Sequence, residues 1–499
     1  FSESIKLNPQ NNPAKLGLSE AYTRKADNVY EKEGALQAER FYNLAISNDS
    51  NNAAAYTGLG NIYEETGKDD LALTNYQKAL SINQNLTELY APVGISYYQK
   101  GEIAKADEFL TKAVAADPQN EETQFYLGVI RYKQNRDQEA MAALNKSIEV
   151  NKAPENTAEA HYYLGEIYDR QDKDKEAINE YNLAVKYNPN YRDAWFDLGV
   201  SYYNRKRYND AINAYNQAIR LQNDNYEYYE NLGDTYRQLK QYDKAEGPYG
   251  LAVTFAERDV NKQADKAGLA DLYSKYGFVL GYEAKWGSAI DALNKAVALS
   301  PDTVDYTNIG WAYYNSAQID IREKGKADKL GNTSESQRLE ASSKQKLENG
   351  RDAFKKATAM DPNFFPSFMN LGMTQTELGD YQAAIEALKR CVQLKDKWAL
   401  AYNELGYAYQ VSGKFDDAIQ NFRKATDIDK NYAIGLYNLA YTLMQKGDQK
   451  EARKIQDRLR KIDPNRANML EAIWLSNQTN VIKQKVDNKN PLNKIRIPY

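Results

Sequence analysis

Residues 56–67 read YTGLGNIYEETG, and the cadence returns as YAPVGISYYQKG at 90–101 and YYENLGDTYRQLK at 228–240. Its fixed point is a glycine. Gly60, Gly94 and Gly128 are 34 residues apart, as are Gly165, Gly199 and Gly233, and again Gly372 and Gly406. Twelve residues after each of the first six stands an alanine: Ala72, Ala106, Ala140, Ala177, Ala211 and Ala245. Seven further on is another small residue: Ala79, Ala113, Ser147, Ala184, Ala218 and Ala252. A proline closes several copies, as at Pro118, Pro189, Pro301, Pro362 and Pro464. A fixed period of this size marks a repeat architecture. Inside each half, apolar residues fall at helical spacing, as in Trp195, Leu198 and Tyr202. Glycine or alanine lets two helices approach closely, a ring opposite fills the gap, and Pro with Asn or Asp stops the second helix. Each copy is therefore a helix–turn–helix that cannot bury its apolar face alone, so neighbours must stack on it.

These marks have a family likeness. A large residue opens the copies (Tyr56, Tyr90, Trp195, Tyr229, Tyr306, Phe368, Tyr402), and a Leu-Gly pair follows at Leu59-Gly60, Leu198-Gly199, Leu371-Gly372 and Leu405-Gly406. In these features the chain resembles the tetratricopeptide repeat (TPR) family over nearly its whole length. The resemblance implies an all-α fold, a right-handed α-solenoid (superhelix) of stacked helix–turn–helix units. About twelve units fit, starting near 12, 53, 87, 121, 158, 192, 226, 270, 303, 365, 399 and 433. The expected organisation is the end of a truncated repeat at 1–11, the array at 12–466, a C-terminal capping helix at 467–480 and a basic extended tail at 481–499. Two units depart from the pattern. The first carries Ser19 at the glycine position, with about seven residues added before its second helix. In unit nine, Gly310 and Ala357 are 47 apart where other units have 19, an insertion of 28 residues near 316–343. Its charged, helix-compatible sequence with a turn signal at Gly331-Asn332-Thr333-Ser334 predicts two long helices forming a hairpin.

Composition narrows the function. The 499 residues hold 65 Lys+Arg against 69 Asp+Glu, a net charge of −4, which argues against a nucleic-acid partner because phosphate neutralisation needs clustered cations. No run of 18 apolar residues occurs, so no transmembrane segment is expected. One Cys and one His allow neither an intrachain disulfide nor a Cys/His zinc site. His161 stands at the large-residue position of unit five and Cys391 at a small-residue position of the second-helix pattern, so both read as packed residues. No phosphate loop or dinucleotide fingerprint is present, since the glycines lie inside helices. The expectation is a non-enzyme with no cofactor, no metal and no catalytic residues. The composition, rich in Tyr, Asn and Lys and poor in Cys, leans toward a bacterial source.

Binding is the function left to examine. In the proteins this chain resembles, first helices line a concave groove through positions three before, one after and four after the glycine. Carried onto this sequence, those positions give Phe125, Tyr162 and Phe196, then Glu166 and Asp234, then Tyr98, Tyr132 and Tyr203. Acids also stand at the second position of successive units, at Glu88, Glu122, Glu159, Asp193, Glu227 and Asp271. Rings offer flat contact at low entropic cost, a composition suited to an extended peptide. The cations of carboxylate-clamping TPR domains are missing: three before glycine stand Thr57, Ala91, Phe125, Tyr162, Phe196 and Glu230. From Val481 the tail carries Lys483, Lys485, Lys489, Lys494 and Arg496 against Asp487 alone, and Lys494, Arg496 and Tyr499 are its candidate docking residues. The leading reading is an interaction scaffold for a protein or peptide partner. The alternatives are a self-assembling homo-oligomer or filament, joined head-to-tail or tail-in-groove, and an accessory subunit of an enzyme complex.

Overall fold

A computed structural model describes residues 1–150 and 154–478. Among these, every regular element is helical. The chain divides into two compact units, Phe1–Asn223 and Asp224–Tyr499. In each, antiparallel helix pairs follow the repeat: Ala53–Glu65 with Asp69–Ile82 is one in the first unit, and Ala399–Val411 with Phe415–Ile428 one in the second. The fold is a helical solenoid of helix–turn–helix units. Within each unit several neighbouring first helices touch one another, and each second helix packs on the first helix of the following pair. In each unit these first helices thus share a face, the inner face of that unit.

The glycine is the seam of each pair. A methyl on Gly60 would come within 2.3 Å of the Tyr76 ring, on Gly165 within 2.5 Å of Tyr181, and on Gly372 within 2.4 Å of Leu388. The partner stands sixteen residues on in each case, and Tyr76, Tyr181 and Leu388 are fully buried. The turn between the helices needs one residue at positive φ. Glycine supplies it at Gly67, Gly101, Gly379, Gly413 and Gly447, while Lys206, Lys240 and Ala284 are forced there at φ of 57–60°. A Cβ in this left-handed region is strained by about 1 kcal/mol. Ala284→Gly is therefore expected to raise stability by about 0.5–1 kcal/mol, read as a higher urea midpoint with an unchanged slope.

The two irregular units are explained by the same seam. In unit one the helix Asn12–Glu33 runs unbroken for 22 residues. It places Ala26, not Ser19, sixteen residues before Tyr42, and the Tyr42 hydroxyl donates to Asp27 at 2.6 Å. The seven extra residues lengthen the front of the first helix instead of separating it from the second. In unit nine the helices are Thr303–Lys329 and Thr333–Met360, 27 and 28 residues long. Each is about 14 longer than an ordinary partner such as Phe365–Leu378. Gly310 still faces Phe354 because both helices gained the same length, close to four whole turns. The turn moves to Gly331, at φ 71°, and Asn332 caps the second helix through the Glu335 amide.

Candidate functional site

In several pairs the buried tyrosine that fills the glycine seam extends its hydroxyl through to the inner face. Tyr76 donates to Asn61 at 2.9 Å and Glu64 at 2.6 Å. Tyr181 donates to Glu166 and Asp169, both at 2.9 Å. Tyr249 donates to Asp234 at 2.6 Å. The acceptors stand one and four residues after the glycine. At four seams the residue after glycine is apolar (Ile95, Val129, Phe278, Met373) and the seam residue is leucine: Leu110, Leu144, Leu293 or Leu388. Buried phenols need an acceptor, which accounts for the match at these seams; the seam of Gly199, where Val200 stands with Tyr215, departs from it.

In the first unit this scaffolding holds a face of rings and carboxylates. Tyr98 lies 5.4 Å from Tyr126 and beneath Lys133, whose Nζ is 4.7 Å from the ring. Tyr132 lies 5.2 Å from Tyr163, with the Arg170 guanidinium 4.5 Å over it, and donates to Glu166 at 2.9 Å. Tyr162 is 4.9 Å from Tyr191 and donates to Asp197 at 3.0 Å. Phe196 leans on Tyr215 at 5.9 Å, and Tyr203 meets Tyr208 edge-on at 5.6 Å. Tyr98, Tyr132, Tyr162, Glu166, Phe196 and Tyr203 are half-buried, and the first-helix face brings them together. Phe125 corrects the sequence expectation: only 4% exposed, it packs with Val129, Leu144 and Leu164 inside the core. Its neighbour Tyr126 is the half-buried ring. Asp234 belongs to the second unit. The tail residues Lys494, Arg496 and Tyr499 lie outside the described residues.

Three acids of this face are held without cations. Among the described residues, none of Glu166, Asp169 and Asp197 forms an ion pair; tyrosine and serine hydroxyls are their partners. Burial, then the charge of Glu166, raises the Asp197 carboxyl to about 7, and the same two causes push Asp169 up. Glu122 is raised by burial and by Glu64 and Glu121. The second unit differs: Asp234 accepts from Arg237 at 2.9 Å and Lys275 at 3.2 Å, and Lys275 also meets Glu230 at 2.7 Å and Asp271 at 2.9 Å. There, Asn438 also donates to Asn403 at 3.0 Å in a buried amide contact.

A raised carboxyl has a consequence for stability. The folded chain holds a proton on Asp197 over a range where the unfolded carboxyl, near 3.9, has lost it. Stability from this group is present below about pH 4 and is lost as pH rises through 7. Asp197→Asn keeps an acceptor for Tyr162 and removes the charge. It is expected to stabilise the chain by about 1–3 kcal/mol at pH 8 and by little at pH 4.5, read from urea unfolding at the two values.

Position two before glycine, which supplies Tyr126, Tyr163 and Asp197, was missed from sequence. Reading that column alongside the other three would have found it. His161 and Cys391, read from the sequence as packed residues, are both buried. His161 Nδ1 lies 2.6 Å from Glu180 and its ring stacks on Tyr187 at 5.5 Å. Cys391 is fully buried, which pushes its thiol up to about 12. No helix among the described residues is long and apolar enough to cross a membrane.

Family models agree with this architecture. Tetratricopeptide repeat models match residues 53–86, 94–156, 158–191, 192–225, 226–246, 365–397 and 412–473. No curated protein gives a match. Among solved structures, a MamA protein is 27% identical over 35% of this chain and 94% of its own, with a TM-score of 0.32. YrrB, titled a TPR protein with an unusual peptide-binding site, is 24% identical over 36% of this chain and 92% of its own, at 0.32. A chain of the APC/C hetero-tetramer Cut9–Hcn1 is 14% identical over 89% of this chain and 94% of its own, at 0.36. With the 34-residue period, the glycine seams and the family matches along its length, the chain belongs to the tetratricopeptide repeat family.

Proposed function

We propose that the chain is a non-enzymatic protein-interaction scaffold, and that the first-unit face from Tyr98 to Tyr203 holds an extended partner segment. The observation that carries this reading is the coexistence of half-buried rings with carboxylates fixed by hydroxyls but left without cations. Such groups are pre-positioned, so little entropy is lost when a partner arrives. Rings bind the flat surfaces of a peptide, and carboxylates accept from its amides or cationic side chains.

The test is a peptide library displayed on phage and panned on the full chain. Enriched peptides are expected to lose at least tenfold in affinity for Tyr98→Ala/Tyr162→Ala, a double variant that keeps the buried Tyr181 in place. Failure to enrich any peptide, or equal binding to the variant, counts against the reading.

A further inference from the structure

Equivalent positions in the two units differ by a reversal of charge. In the second unit Asp234, one after Gly233, meets Lys275, which stands two before Gly277 on the next first helix. In the first unit Glu166 stands one after Gly165, and the residue two before Gly199 on the next first helix is Asp197. Tyr181 supports Glu166 from beneath as Tyr249 supports Asp234. The internal lysine that neutralises the second-unit site is thus replaced by a second carboxylate, and any cation must come from elsewhere. The rings nearby already accept cations on their faces: Lys133 over Tyr98 and Arg170 over Tyr132.

The chain carries a segment with the missing charge. Residues 481–499 hold five cations and one acid. Lys494 and Arg496 are two apart in KIRIPY, so an extended backbone puts both on one side, roughly 7 Å apart, with Ile495 and Ile497 on the other. Pro491 and Pro498 disfavour a helix there. We propose that the first-unit face takes residues 481–499 of a second copy, with Lys494 and Arg496 against Asp197 and Glu166, so that the chain assembles tail into face. This names the partner for the face assigned above and rests on that assignment.

The experiment is light scattering on the full chain over a concentration series. Molar mass is expected to rise above the 56.9 kDa of one chain, and to stay at that value for Lys494→Glu/Arg496→Glu. Excess synthetic 481–499 peptide should return the wild-type chain to the single-chain mass, and its affinity should fall at least tenfold on Glu166→Gln/Asp197→Asn. Circular dichroism confirms that each variant is folded. A single-chain mass at every concentration overturns the proposal, as does growth that the tail variant leaves unchanged. A scrambled peptide of equal charge that competes as well overturns the assignment to this segment. If library peptides still bind the Tyr98–Tyr203 face of the tail variant, the scaffold reading stands apart from the fate of this one.

Discussion

Gly372→Val is expected to cost about 3 kcal/mol or more, whereas Gly325→Ala, also inside a helix, is expected to raise stability by about 1 kcal/mol. The difference lies in what each side chain meets. At Gly372 even a methyl would come within 2.4 Å of Leu388 Cγ and 3.1 Å of the Ala384 carbonyl oxygen. Leu388 is fully buried and has nowhere to move, so the two helices must part along their seam. At Gly325, in the extended helix Thr303–Lys329, nothing lies within 4 Å, and alanine only removes backbone freedom from the unfolded chain. In a stacked array each pair supports its neighbours, so the Gly372 lesion should spread to the pairs beside it. Urea unfolding followed by circular dichroism reads both effects. A neutral Gly372→Val would mean that the seam does not set the helix spacing.

Tyr181→Ala is the second large effect, and it joins stability to the site. The ring is fully buried against Gly165, and its removal should cost about 3–5 kcal/mol. Tyr181→Phe keeps the ring and loses only the hydroxyl, for about 1 kcal/mol. That smaller change still removes the donor shared by Glu166 and Asp169, leaving Glu166 with Tyr132 and Asp169 with Ser201. The expected pattern is a severe loss of stability in the alanine variant. The phenylalanine variant should stay folded and bind its partner peptide several-fold more weakly. Equal binding by Tyr181→Phe would show that the hydroxyl serves packing alone.

Much of the architecture was legible because the period repeats one packing problem. A glycine, an alanine twelve residues on and a small residue nineteen on are local marks, and many copies in register reinforce them. The unit-nine helices were readable for the same reason, since the seam marks at Gly310 and Ala357 survive on either side of the insertion. Unit one misled because Ser19 sits at the counted distance, while the Tyr42 hydroxyl reaches Asp27, one after Ala26, as the Tyr76 hydroxyl reaches Asn61, one after Gly60, and only packing shows that register. The inner face was legible by column but not by residue. Phe125 and Tyr126 are neighbours on one helix, about 100° apart, and which of them stays at the surface depends on the packing of the next pair. Tyr162, at the same column as Phe125, stays half-buried because Asp197 offers its hydroxyl a partner. The charge reversal between Lys275 and Asp197 was also present in the sequence, but it acquires meaning only once Asp234 and Glu166 are seen facing those positions.

Whether partners lie on the first-helix face of the first unit is decided by photo-crosslinking from single benzoylphenylalanine residues placed at Tyr98 on that face and at Tyr187, an exposed ring on a second helix. With a library-selected peptide bound, position 98 is expected to crosslink to the peptide and position 187 to give none. Crosslinking from 187 with none from 98 would overturn this placement of the partner.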